Sequence, residues 1–144
     1  MKRLLALIAF VGLTSIAGAQ DWLTNYEDAL KKAKTENKQV LMDFTGSDWC
    51  GWCMKLDREV FSLQEFKDYA TKNLVLLKLD FPQRKALSAQ EKAQNDRLAA
   101  KFKIEGYPTI VVLNPSGSKA GELGYTPGGP SAFISALQKS APKK

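Results

Sequence analysis

The sequence predicts a mixed α/β domain, a sheet carrying helices on both faces. Three observations lead there. Helical-period segments alternate with short apolar runs; the last strand run opens a hairpin that is followed by a closing helix; and the only two cysteines stand as Cys50-Gly51-Trp52-Cys53 just after an apolar run. At 144 residues the chain can build one real core and is too short for two ordinary domains. A hydrophobic content of 44% and a charged content of 25% are those of a soluble globular protein.

The first segment carries an address. Met1-Lys2-Arg3 is positive, Leu4 to Ala17 is almost wholly apolar, and Ala17-Gly18-Ala19 places small residues where a signal peptidase reads. The competing reading is a membrane anchor, but the apolar stretch, about 16 residues, is shorter than the ~20 needed to span a bilayer. Residues 1–19 are therefore expected to be a signal peptide, cleaved near Ala19-Gln20, leaving a periplasmic or secreted protein. No cysteine in this segment supports a lipoprotein.

The remaining elements follow in order. Trp22, Tyr26, Ala29, Leu30 and Ala33 recur at helical spacing and predict a helix over 22–36. Val40 to Phe44 reads as a strand buried on both faces. Thr45 to Asp48 is a loop, with Asp48 the expected cap of a helix beginning near Cys50. Ser62-Leu63-Gln64-Glu65 has a capping-box pattern opening a helix with Leu63, Phe66, Tyr69 and Ala70 on its apolar side. Leu74 to Leu79 is a second buried strand, and Ser88-Ala89-Gln90-Glu91 opens a helix through Phe102. Thr109 to Leu113 is a β-branched strand; Asn114 to Gly117 turns it into an antiparallel partner, 119–125. Phe133, Ile134 and Leu137 mark the last helix. The domain is expected to span 20–139, with a flexible tail over 140–144.

The absence of histidine removes Ser-His and Cys-His catalysis and any imidazole metal site. Without Lys2 and Arg3 the chain holds 19 basic and 15 acidic residues, a net +4 spread over several segments. No clustered basic face points to nucleic acid. A disulfide closing two intervening residues constrains the unfolded chain little, so the cysteine pair suits exchange better than stapling. At the first turn of a helix the unpaired backbone N–H groups favour a Cys50 thiolate, while Cys53, one turn inward, is shielded and within reach. Trp49 and Trp52 flank the pair with flat apolar surface, Trp52 being the more exposed. Half of a zinc site is the alternative, but it lacks further cysteine or histidine ligands. No metal is expected.

Trp49-Cys50-Gly51-Trp52-Cys53 after Val40-Leu41-Met42-Asp43-Phe44 resembles the thioredoxin active-site segment. The resemblance continues through Val75-Leu76-Leu77-Lys78-Leu79-Asp80 and Phe102-Lys103-Ile104-Glu105-Gly106-Tyr107-Pro108-Thr109, to the Gly117 hairpin and the last helix. The Thr45-Gly46-Ser47-Asp48-Trp49-Cys50 form is most similar to the exported bacterial thioredoxin-like branch. The resemblance implies a thioredoxin-like three-layer α/β/α fold with a central mixed sheet, and thiol–disulfide oxidoreductase activity without an added cofactor. It implies that Cys50 attacks and Cys53 resolves, with Asp43 as the buried acid that exchanges a proton with the resolving sulfur and Lys78 as its basic neighbour. It implies that Pro108 is a cis-proline beside which Gly106, Tyr107 and Thr109, with Trp49 and Trp52, bind a substrate peptide.

Three departures from the family accompany it. The spacing from Asp43 to Cys50 is one residue longer than in typical thioredoxin. Trp52 replaces the proline or histidine common between the cysteines. The polar stretch Gln83–Ala99 is longer than the family minimum, as a solvated helix extension or a docking surface. The expected activity is reduction of disulfides in exported proteins, by a monomer supplied with electrons by a membrane donor. Oxidation, isomerisation, non-catalytic peptide binding and Cu(I) handling are the alternatives.

Overall fold

The computed structural model describes residues 21–143. The expected signal peptide, residues 1–19, lies outside the described residues. The elements run α1 (Tyr26–Glu36), β1 (Gln39–Thr45), α2 (Gly51–Leu56), a π-helical turn (Asp57–Phe61), α3 (Gln64–Asn73), β2 (Leu74–Asp80), α4 (Ala89–Phe102), β3 (Thr109–Leu113), β4 (Lys119–Leu123) and α5 (Gly129–Ser140). No helix among the described residues is long and apolar enough to cross a membrane.

The sheet order is β2-β1-β3-β4. β1 is parallel to β2 and antiparallel to β3, and β4 closes the edge antiparallel to β3. Every β1 residue is buried, because the strand is central and both faces are covered. Alternation sends Val40, Met42 and Phe44 into one core with Tyr26, Ala29, Ala33 and Leu98, from α1 and α4. It sends Leu41 into the other with Leu56, Val60, Phe66, Ala70, Phe133 and Leu137, from α2, the π turn, α3 and α5. The result is the three-layer thioredoxin-like arrangement that the resemblance implies.

Local chemistry moved three boundaries away from the pattern. Residues 22–24 are not helical: Leu23 bridges to Leu77, its N–H donating to the Leu76 carbonyl (2.9 Å) and its carbonyl accepting from Lys78 N–H (2.8 Å). Helix α1 starts instead at Tyr26, because the Asn25 side chain accepts from the Asp28 N–H at 3.0 Å. The Ser62 capping box does not form. Ser62 closes the π turn, its N–H donating to the Asp57 carbonyl (2.8 Å), while α3 is entered from Leu63 without a side-chain cap. Ser88, bearing the same pattern, does cap α4 through the Glu91 N–H at 3.1 Å. The domain also extends beyond residue 139. Ser140 ends α5, and Ala141, only 2% exposed, gives its carbonyl to the Gln39 side chain at 3.1 Å.

At Gly121 in β4 the C-terminal end of α5 lies against the sheet. A methyl group there would collide with the Ser140 carbonyl, so glycine is needed for the close approach.

Candidate active site

The cysteines lie between the C-terminal end of β1 and the start of α2. The longer connection from Asp43 is absorbed by a tight turn in which the Gly46 carbonyl accepts the Cys50 N–H at 2.9 Å. The Trp49 ring lies over Gly46 so closely that a Cβ there would fall 2.5 Å from it. Cys50, rather than Asp48, is the N-cap of α2, and its sulfur accepts the Cys53 N–H at 3.2 Å. Asp48 instead ties the loop after β2, accepting from the Gln83 and Arg84 N–H groups at 2.9 and 2.8 Å. Those backbone bonds, Gln83 foremost, hold its carboxyl below the usual carboxylate range.

Cys50 and Cys53 form a disulfide with Cα atoms 5.3 Å apart, so the structure is the oxidised form. Cys53 is shielded as expected, 5% exposed, and Cys50 is no more open at 6%. Gly51 is exposed, and a Cβ there would meet nothing, so packing does not demand glycine at this position.

Asp43 is 4% exposed and its Oδ1 makes no hydrogen bond. Burial pushes its carboxyl from 3.8 up to about 7; Lys78 pulls it down, while Asp57 and Asp80 push it up. Lys78 is its register partner on β2, yet no ion pair joins them among the described residues. The Lys78 Nζ lies instead 5.3 Å from the centre of the Trp22 ring. Asp43, Cys53, Asp57 and Lys78 line one cavity of about 150 Å³. At ~30 Å³ of liquid per water it has room for several. A carboxyl pushed toward neutrality, sharing a cavity with Cys53, is suited to taking and returning a proton of the reduced thiol. A larger cavity, about 360 Å³, opens between the loop after β2 and α4 but reaches neither cysteine.

Asp80, at the end of β2, shapes the same region. Its carboxylate accepts from Ser47 N–H (2.9 Å), Ser47 Oγ (2.6 Å) and Lys85 Nζ (2.9 Å). Burial pushes that carboxyl up, but the Ser47 bonds and Lys85 outweigh it and hold it below its ordinary value.

Two aromatic pairs border the cysteines. Trp49, 38% exposed, meets Tyr107 edge-on with centroids 5.8 Å apart and donates its indole N–H to the Phe81 carbonyl at 2.7 Å. Trp52, 57% exposed, packs against Tyr125 at 5.2 Å, with Lys55 Nζ over both rings. Tyr125 donates to Glu59 at 2.6 Å, which raises its hydroxyl pKa. Tyr107-Pro108 is a cis peptide bond, and Thr109 Oγ1 donates to the Gly106 carbonyl at 2.7 Å. Thr109 pairs with Phe44, so residues 106–108 sit at the end of β1 from which the cysteine loop departs. All ten predicted positions thus belong to one end of the sheet. Trp22, Lys55, Phe81 and Tyr125 join them, and only their aromatic or cationic character marks them in the sequence. The polar 83–99 stretch is mostly exposed but tied to the domain: Leu98 is buried, and buried Asn95 donates to the Asp80 carbonyl at 2.9 Å. Among the described residues no group of three or more Cys, Asp or Glu side chains could hold a metal ion.

The thioredoxin-like domain model matches residues 26–141. The chain belongs to the thioredoxin-like family. Disulfide bond reductase DsbH of Chlamydia pneumoniae is 35% identical over 125 residues, 87% of this chain and 75% of that relative. Thioredoxin-related protein DsbJ of the same organism is 29% identical over 121 residues, 79% of this chain but 35% of its own length. The solved structure of a DsbH oxidoreductase superposes with a TM-score of 0.79 at 30% identity, covering 93% of each chain. A thioredoxin from Thermus thermophilus, at 18% identity and a TM-score of 0.62, covering 85% of this chain and 87% of its own, shares the fold. With its CxxC disulfide in this frame, the thioredoxin-like chain is a thiol–disulfide oxidoreductase.

Proposed function

We propose that this protein reduces disulfides of exported proteins, with Cys50 attacking and Cys53 resolving. The observation that carries the reading is that Asp43 and Cys53 line the same cavity, with the Asp43 carboxyl poised near neutrality. The similarity to a protein described as a disulfide bond reductase supports this direction.

In the reduced enzyme the Cys50 thiolate is stabilised by the helix-start N–H groups. It attacks one sulfur of a target disulfide: a Cys50–target bond forms, and the second target sulfur leaves as a thiolate that takes a proton from water. The Asp43 carboxylate then accepts the Cys53 thiol proton, directly or through water in the cavity. The Cys53 thiolate attacks Cys50, closing the disulfide seen here and expelling the first target sulfur. Two electrons pass to the target, which ends as a dithiol, and Asp43 returns its proton to solvent. The backbone beside Pro108, which has no N–H of its own, is free to pair with an extended target segment between the Trp49–Tyr107 and Trp52–Tyr125 pairs. Lys78 biases Asp43 toward the carboxylate. The protein works after export, as a monomer, re-reduced by a membrane donor.

The test is equilibration with a glutathione redox series, together with insulin reduction. The reading predicts a potential near that of thioredoxin, about −270 mV, and turnover that disappears in Cys50→Ser. A value near −120 mV, that of a strong oxidant, contradicts it. Equal turnover in Cys50→Ser removes the enzymatic mechanism altogether.

A further inference from the structure

Asp43 and Lys78 are partners in the parallel β1–β2 register, with side chains on the same face of adjacent strands. An acid and an amine so placed, and largely withdrawn from water, should close an ion pair. They do not: the Asp43 Oδ1 has no partner, and the ammonium lies over an indole. That indole belongs to the segment that bridges to the strand carrying the lysine. Leu23, the next residue, is hydrogen-bonded on both sides of Leu77, and Trp22 is packed against Phe61 with centroids 5.1 Å apart. At 5.3 Å the ammonium is within the range of cation–π attraction.

We propose that Trp22 is a positioning residue of the redox site: its ring holds the Lys78 ammonium away from Asp43, so the carboxyl remains unpaired and free to receive a proton. An ammonium released onto the carboxylate would lower the acid's pKa by ~1–3 units, leaving a base too weak to draw on the Cys53 thiol. The other groups facing Asp43 are Asp57 on the π turn, Asp80 at the end of β2 and Cys53 on α2; none of them holds Lys78 back. The importance of Trp22 for turnover rests on reading Asp43 as the proton acceptor; its effect on the carboxyl does not.

The experiment follows the Asp43 carboxyl by carbon NMR across pH in the oxidised protein, where no thiol titrates. Trp22→Leu is expected to lower the midpoint by about one unit or more. Trp22→Phe, which keeps a ring face, is expected to hold it close to wild type. In a Lys78→Met background, Trp22→Leu is expected to leave the midpoint where Lys78→Met alone puts it. An unmoved midpoint in Trp22→Leu overturns the inference. So does a fall in Trp22→Phe as large as an unpaired lysine would cause, or a Trp22→Leu shift that persists without Lys78, which would mean that the ring acts by excluding water. A shifted midpoint in a protein without reductase activity would leave this inference standing and remove the reading of Asp43.

Discussion

Replacing Asp43 by asparagine should change how stability depends on pH more than any other single substitution in this protein. The wild-type carboxyl is pushed from 3.8 to about 7, chiefly by burial. Below pH 4 both folded and unfolded chains hold the proton, and the group contributes no difference. Between pH 4 and 7 the unfolded chain has released a proton that the folded chain retains, so stability falls as pH rises, by about 1.36 kcal/mol per unit. Above pH 7 the full cost is present, about 4 kcal/mol. Asparagine removes that slope. The buried amide, facing a site where Oδ1 has no partner, costs about 1–3 kcal/mol at every pH. The variant should therefore be no more stable than wild type at pH 4 and clearly more stable at pH 8, the difference changing by about 4 kcal/mol across that range. Urea titrations of both oxidised proteins, followed by circular dichroism at several pH values, measure it. A difference that stays constant from pH 4 to 8 would refute the reasoning, because Asp43 would then titrate alike in both states.

Asp80 should behave in the opposite sense: its lowered carboxyl stabilises the fold above pH 4, and this is lost as pH falls through its folded value. Asp80→Asn should cost about 1.5–3 kcal/mol in urea unfolding at pH 7 and less at pH 3. Gly121→Ala, which drives a methyl into the Ser140 carbonyl, should cost about 1–3 kcal/mol and lower the melting temperature. Asn25→Ala should cost about 1 kcal/mol in the same melts by uncapping α1.

Much of the frame was legible because its signals are local. The short, mostly apolar runs 40–44, 74–79 and 109–113 read as strands, and β1, β2 and β3 contain them. Asp43 and Lys78 stand in register on adjacent strands. What escaped was decided by competition between groups distant in sequence. Ser62 and Ser88 carry the same capping pattern, but the Ser62 N–H is already engaged by the π turn. Trp22 fits the helical period of α1, yet Asn25 stops the helix and sheet hydrogen bonds take Leu23. Asp48 sits where a cap is expected, but the loop amides of 83 and 84 claim its carboxylate, leaving Cys50 to cap its own helix. The Cys50–Cys53 pairing is legible in the CxxC spacing, whereas how deeply neighbours cover Cys50 is not.

The central claim is that the Cys50 sulfur forms the covalent link to a target. Reduced Cys53→Ser, mixed with a peptide containing one disulfide and analysed by intact mass, is predicted to gain one peptide on Cys50, released again by dithiothreitol. Under the same conditions Cys50→Ser is predicted to gain none. An unmodified Cys53→Ser protein, or a peptide found on Cys53 in the Cys50→Ser variant at a comparable rate, would contradict it.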